Sequence, residues 1–189
     1  MSDTPLGSAS AGMRQRNEAG TSLVELLACA ALCALLASLA APSMQAVMNR
    51  QQAIAAEHML VAHLHLARSH AVAHNKEVVL CPSHDHRRCN RDGNWSNDWL
   101  LFVDNDGNRR PDQPLDIIRA ENTPTPARLR LVSSPRRNFV RFLPDGRSAG
   151  TNLTVSICSE DGALLTQVVV NNAGRSRSQR PKKPGNCPR

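Results

Sequence analysis

Three regimes of hydrophobic patterning divide the chain. From Leu23 to Ala41 apolar residues run almost without interruption, LVELLACAALCALLASLAA, with one carboxylate, Glu25, near the start. That is about the length of a bilayer crossing. The next stretch, SMQAVMNRQQAIAAEHMLVAHLHLARSHAVAH, has helical spacing: Val47, Ile54 and Val61 fall seven apart, and Leu60, Leu64, Ala67 and Ala71 make a companion stripe. Pro42 kinks such a helix rather than ending it, because good helix formers resume at once. The two regimes together predict one helix over about 21–75, apolar over about 22–41 and amphipathic beyond. The third regime is a series of short β-branched or alternating runs: KEVVLC (76–81), DWLLFVD (98–104), RLRLV (128–132), NFVRFL (138–143), NLTVSIC (152–158) and LLTQVVV (164–170). Turn signals separate them, DGN at 92–94, DNDGN at 104–108, PDG at 144–146 and EDG at 160–162. Strands in succession without helices between them predict an α+β fold: a long N-terminal helix, kinked at Pro42, packed on a mostly antiparallel β-sheet domain over 76–170.

Composition sharpens this division. All five aromatics fall between Trp95 and Phe142, which puts the compact core in the C-terminal half. The formal charge of +7 is concentrated at one end. Residues 1–20 balance, residues 21–170 are nearly balanced, and residues 171–189 hold six basic groups and no acid. The protein is therefore basic in its tail, and such asymmetry points to a polyanionic partner or to a solvated face. Of six cysteines, Cys29 and Cys33 lie in the apolar run, where small polarisable side chains pack well. Cys81, Cys89, Cys158 and Cys187 lie in the polar region. An even count in an exported domain argues for two disulfides, and the absence of a CxxC pair argues against zinc. Proximity in sequence favours Cys81 with Cys89 and Cys158 with Cys187, although three connectivities are formally possible.

The start of the chain does not read as a cleaved secretory signal. Arg14 and Arg16 precede the apolar run, but that run is longer than a signal's, and no cleavage site follows it. Basic residues before the run and none just after it place the N-terminus in the cytoplasm. Gly20 followed by TSLVELL, with Glu25 five positions on and Pro42 closing the run, resembles the class III signal of type IV pilins and pseudopilins. The resemblance implies a leader over 1–20, cut by a prepilin peptidase between Gly20 and Thr21, with methylation of the new amine. It also implies that Glu25 pairs with the terminal amine of a neighbouring subunit during filament assembly. Thr21 departs from the usual Phe of that pattern.

Further along, ARSHAVAHNKEVVLCPS, W-x-x-x-WLLFVD-x-DG, FLPDGR, LTVSIC and VVVNNAGRSR occur in an order that is similar to the FimT/GspH group of minor pilins and pseudopilins. The likeness runs from Gly20 to about Arg177. It implies an inner-membrane protein with a single pass and a periplasmic globular domain, which later joins a pilus, with other pilin subunits as partners.

The tail, NNAGRSRSQRPKKPGNCPR (171–189), carries the clearest candidate chemistry. Arg175 and Arg177 are separated by one serine, and in an extended strand i and i+2 project to one side. Both guanidiniums are then available for bidentate contact with adjacent phosphates. Gly174 permits the turn that presents them, and Arg180, Lys182 and Lys183 extend the positive field. GRSR matches the GRxR element through which FimT-type minor pilins bind DNA in natural transformation. By that resemblance Gly174, Arg175 and Arg177 bind the backbone of double-stranded DNA without sequence preference. A second cluster, Arg128, Arg130, Arg136, Arg137, Arg141 and Arg147, is a candidate extension of that surface.

Other chemistry is weaker. DNDGN has its glycine at the fourth position and no closing glutamate, so it reads as a turn and not a calcium loop. The histidines at 58, 63, 65, 70 and 74 read as a polar helix face; His70 and His74 are i, i+4 but lack a third ligand. No GxSxG element or comparable nucleophile motif occurs, so the chain reads as no enzyme, with neither cofactor nor metal. The alternative within this architecture is a GspH-like minor pseudopilin of a type II secretion system that does not touch DNA. From another class, a metal-dependent or thiol enzyme on a membrane anchor is the remaining competitor.

Overall fold

The computed structural model describes residues 22–121, 125–126, 128–150, 152–181 and 185–188, without the side chains of 39–43 and 121. One long helix, α1 (Leu23–His74), is followed by eight strands. These are β1 (Val78–Pro82), β2 (Trp99–Val103), β3 (Ile117–Glu121), β4 (Leu129–Ser133), β5 (Val140–Phe142), β6 (Leu153–Ser159), β7 (Leu164–Val170) and β8 (Ser176–Gln179). They form two antiparallel sheets, sheet A in the order β3-β2-β1-β5 and sheet B in the order β4-β6-β7-β8. The expected α+β architecture is the observed one.

The chain divides into two compact units, Met1–Pro42 and Ser43–Arg189. In the first, Leu23, Val24, Leu26, Leu27, Leu32, Leu35 and Leu36 are all exposed. Among the described residues no helix is long and apolar enough to cross a membrane. The span expected over 22–41 runs into residues 39–43, whose side chains lie outside the description, as does that of Pro42.

In the second unit α1 buries Ala53, Ala56, Glu57, Leu60, His63, Leu64, Ala67 and Ala71. Their spacing of three and four is that of one helix face. The Leu60–Ala71 stripe is thus the packed one. Of the run seven apart, Val47 is exposed and Ile54 and Val61 only half-buried, since a strict seven-residue step drifts off a straight helix face. His63 departs from the polar-face reading: it is buried, packs edge-on against Trp99 at 5.2 Å, and donates from Nδ1 to the Met59 carbonyl at 2.9 Å.

Sheet A is covered on both faces, which is why β1 and β2 are buried at every position. Alternate residues divide between two cores. Val78, Leu80, Trp99, Leu101 and Val103 join the main core with α1. Val79, Cys81, Leu100 and Phe102 join a second one under Cys89, Ile117 and Phe139. Sheet B gives Leu129, Leu131, Leu153, Val155, Ile157, Val168 and Val170 to the main core. Its opposite face is mixed: Gln167 Nε2 donates to Ser156 Oγ at 3.0 Å, and Val132 and Val169 lie on the same side.

A buried polar contact joins helix to sheet: Thr166 Oγ1 donates to Glu57 Oε2 at 2.7 Å, with both residues buried. Thr166→Val keeps the shape and deletes the donor. We expect a loss of about 1–3 kcal/mol in chemical denaturation, the usual cost of leaving a buried acceptor unsatisfied; an unchanged midpoint would mean that the contact contributes nothing.

Candidate nucleic-acid interface

The Gly174-Arg175-Ser176-Arg177 stretch lies in a β-hairpin between β7 and β8. Gly174 N–H donates to the Asn171 carbonyl at 2.9 Å, and Asn171 N–H donates to the Arg175 carbonyl at 3.1 Å. Gly174 has φ +74. This is a three-residue hairpin loop with glycine in its left-handed position. The Asn171 side chain adds a clamp, its Oδ1 accepting from Arg175 N–H at 2.9 Å.

Gly174 is required for a second reason. It is buried, and a β-carbon there would collide with the carbonyl oxygen of Gly146, in the turn after β5. That turn and the hairpin are joined by a hydrogen bond from Ser148 N–H to the Asn172 carbonyl at 3.1 Å. Arg68 of α1 seats itself in the same place: a β-carbon on Gly146 would lie 3.2 Å from Arg68 Nε, and one on Gly174 3.3 Å from it. His65, one helical turn before, reaches Ser176 Oγ through Nε2 at 3.4 Å. The arginine-bearing hairpin is therefore backed by the helix and by the FLPDGR turn.

The register of β8 separates its side chains. Ser176 and Ser178 stand opposite Val170 and Val168, on the core side, while Arg177 stands opposite Val169, on the far side. Arg175 closes the hairpin just before the strand. Both arginines are exposed, and among the described residues neither has a carboxylate within 4 Å. Arg180 is exposed and, with Arg50 of α1, lines a recess beside Leu164 and Ile54. Lys182 and Lys183 lie outside the described residues.

The end of the tail is pinned. Cys158 is bonded to Cys187, Leu164 N–H donates to the Gly185 carbonyl at 2.9 Å, and Cys187 N–H donates to the Gly162 carbonyl at 2.8 Å. Cys81 is bonded to Cys89. Gly20 and Thr21 lie outside the described residues, and Glu25 is exposed in the first turn of α1.

Several arginines of the second cluster are engaged or set apart. Arg141 pairs with Glu77 at 3.1 Å, and Arg147 pairs with Asp145 at 2.6 Å. Hydrogen bonding from the Arg147 backbone and side chain holds the Asp145 carboxyl below its usual range. Arg137 is half-buried and donates to the Ala149 carbonyl at 3.3 Å; burial pushes its pKa down. Arg130 stands on the outer side of β4, at the opposite edge of sheet B from Arg177. His65 lies on the polar helix face that the sequence indicates, whereas Arg68 does not stand out in the sequence; its signal is an arginine beside a buried alanine stripe, where its stem must lie along the rim of the sheet.

The chain matches the family model described as type II transport protein GspH over residues 58–174, more than half of its length. The match ends at Gly174, so Arg175 and Arg177 lie just beyond it. No curated protein matches the chain significantly. Among solved structures it is similar to the type IV minor pilin FimU of Pseudomonas aeruginosa, with 21% identity and a TM-score of 0.56, covering 73% of this chain and 96% of that one. A second crystal form of FimU gives 21% identity and a TM-score of 0.52, covering 70% and 98%. The minor pseudopilin EpsH of Vibrio cholerae shares 16% identity with a TM-score of 0.47, covering 69% and 97%. At such identities the likeness to FimU shows a common fold.

Proposed function

The chain belongs to the GspH family of pilin-type subunits, and from that membership we propose that it is a minor type IV pilin that binds double-stranded DNA through its β7–β8 hairpin. In this reading it is a structural subunit and not an enzyme. It enters the inner membrane by residues 22–41 with its N-terminus in the cytoplasm and its globular domain in the periplasm. Prepilin peptidase cuts between Gly20 and Thr21, and the subunit then joins other pilin subunits in a pilus, with Glu25 pairing with a neighbour's methylated amine. The exposed leucines of the first unit support the membrane and filament roles, since an apolar face of that extent needs a lipid or protein partner. The disulfides suit an oxidising compartment.

One observation carries the DNA assignment: Arg175 and Arg177 are exposed, unpaired among the described residues, and mounted on a hairpin that cannot shift without displacing Gly174 from Gly146. A hairpin backbone already held in place avoids the cost of ordering a loop on meeting phosphates, and contacts to phosphates carry no sequence information. The biological role is DNA uptake in natural transformation, pilus biogenesis, or both. Full-length protein in detergent should bind duplex DNA of unrelated sequences alike, and Arg175→Gln/Arg177→Gln should weaken binding at least tenfold. If the parent protein binds no DNA, the pseudopilin reading replaces this one. A second test concerns processing: Gly20→Ala should leave an unprocessed form about 20 residues longer on an immunoblot, and an unchanged size would remove the pilin-processing assignment.

A further inference from the structure

Above the second core, on sheet A and not on the sheet that carries the hairpin, the loops 83–91, 104–113 and 134–139 line an open cavity of about 470 Å³. That volume suits a small organic ligand and exceeds what a lone ion needs. Four of its lining residues are arginines, Arg88, Arg91, Arg109 and Arg110, and none of those that line it is acidic. Arg88 is already paired, its Nε 3.1 Å from Asp85. Among the described residues Arg91 and Arg110 have no carboxylate within 4 Å.

The walls are held in place. Cys89 lines the cavity and is bonded to Cys81 of β1. The Asn138 side chain donates to the Arg91 carbonyl. Arg109 is in the left-handed region at φ +65, fixed there by the Asp104 carboxylate, which accepts its N–H at 3.2 Å. Its guanidinium lies 5.4 Å above the Phe139 ring.

Guanidinium forks match the oxygens of a phosphate bidentately, and an arginine stacked on an aromatic ring offers a platform for a flat group. We infer that this cavity binds a nucleoside phosphate, its phosphate on Arg91 and Arg110 and its base against the Arg109–Phe139 stack. The ligand is either a free nucleotide or the phosphorylated end of a nucleic-acid strand. The inference is independent of the hairpin's role, because the two sites share no residue.

Calorimetric titration of the full-length protein in detergent with dAMP tests it. The parent should bind dAMP at least tenfold more tightly than deoxyadenosine, a comparison that needs no variant. Arg91→Gln/Arg110→Gln, at two exposed positions, should lower dAMP affinity at least tenfold, whereas Arg175→Gln/Arg177→Gln should change it less than threefold. In the Arg175→Gln/Arg177→Gln background, a 5′-phosphorylated oligonucleotide that binds more tightly than its 5′-hydroxyl form identifies the strand end as the source, and equal binding of the two identifies the free nucleotide. The inference is overturned if dAMP does not bind, if the Arg91/Arg110 variant binds it as the parent does, or if only the hairpin variant loses it. Displacement of dAMP by glutamate as effective as that by inorganic phosphate also overturns it and points to an acidic peptide.

Discussion

Gly174→Ala should destabilise the protein by about 3 kcal/mol and loosen the hairpin that carries the arginines. Two costs combine. An alanine at φ +74 is in the left-handed region, at about 1–2 kcal/mol. Its methyl group also meets the Gly146 carbonyl oxygen, and overpacking of that kind costs about 1–3 kcal/mol. The melting temperature should fall by roughly 6–12 °C for a chain of this size. Gly162→Ala separates the two costs: Gly162 has φ +83 but nothing within 4 Å of a new β-carbon. That variant should lose only the backbone part, about 1–2 kcal/mol. Equal losses in the two variants would show that the approach of Gly174 to Gly146 is unimportant.

Removal of the Cys158–Cys187 bond should be the other large effect. It closes a sequence separation of 29 residues, against 8 for Cys81–Cys89. Loop entropy then assigns about 3–4 kcal/mol to the first and about 2–3 to the second. Denaturation of the two double serine variants should therefore rank Cys158→Ser/Cys187→Ser as the less stable. It should also weaken DNA binding a few-fold, because the segment after β8 would no longer be pinned at Gly185 and Cys187, and a free basic segment loses more entropy on binding. Wild-type stability in the reduced protein would contradict this account.

Much of the fold is legible because six strand segments and the helix announce themselves by period. β3 and β8 do not. IIRAE has only two consecutive apolar residues after a loop rich in Pro and Asp, and SRSQ has no strand-forming residue at all. β8 forms because the Asn171–Arg175 hairpin delivers it to the edge of β7, where backbone pairing suffices. Glu57 and His63 were invisible for a different reason: a periodicity built on apolar positions cannot register a carboxylate or an imidazole in the packed stripe. In the candidate site, the arginines and Gly174 stand out by composition and spacing. What holds them, Arg68, Gly146 and Ser148, comes from distant segments that only the tertiary fold brings together. The same limit hid the arginine-lined cavity, whose walls come from three separate loops.

The central claim is that Arg175 and Arg177 contact DNA phosphates, and the salt dependence of binding tests it most directly. Each phosphate neutralised adds roughly 0.9 to the slope of log K against log salt on duplex DNA. Full-length protein and Arg175→Gln/Arg177→Gln, titrated with duplex DNA across a series of salt concentrations, should differ in slope by about two, the variant being the shallower. Parallel lines for the two proteins would contradict the claim, even if the variant bound more weakly.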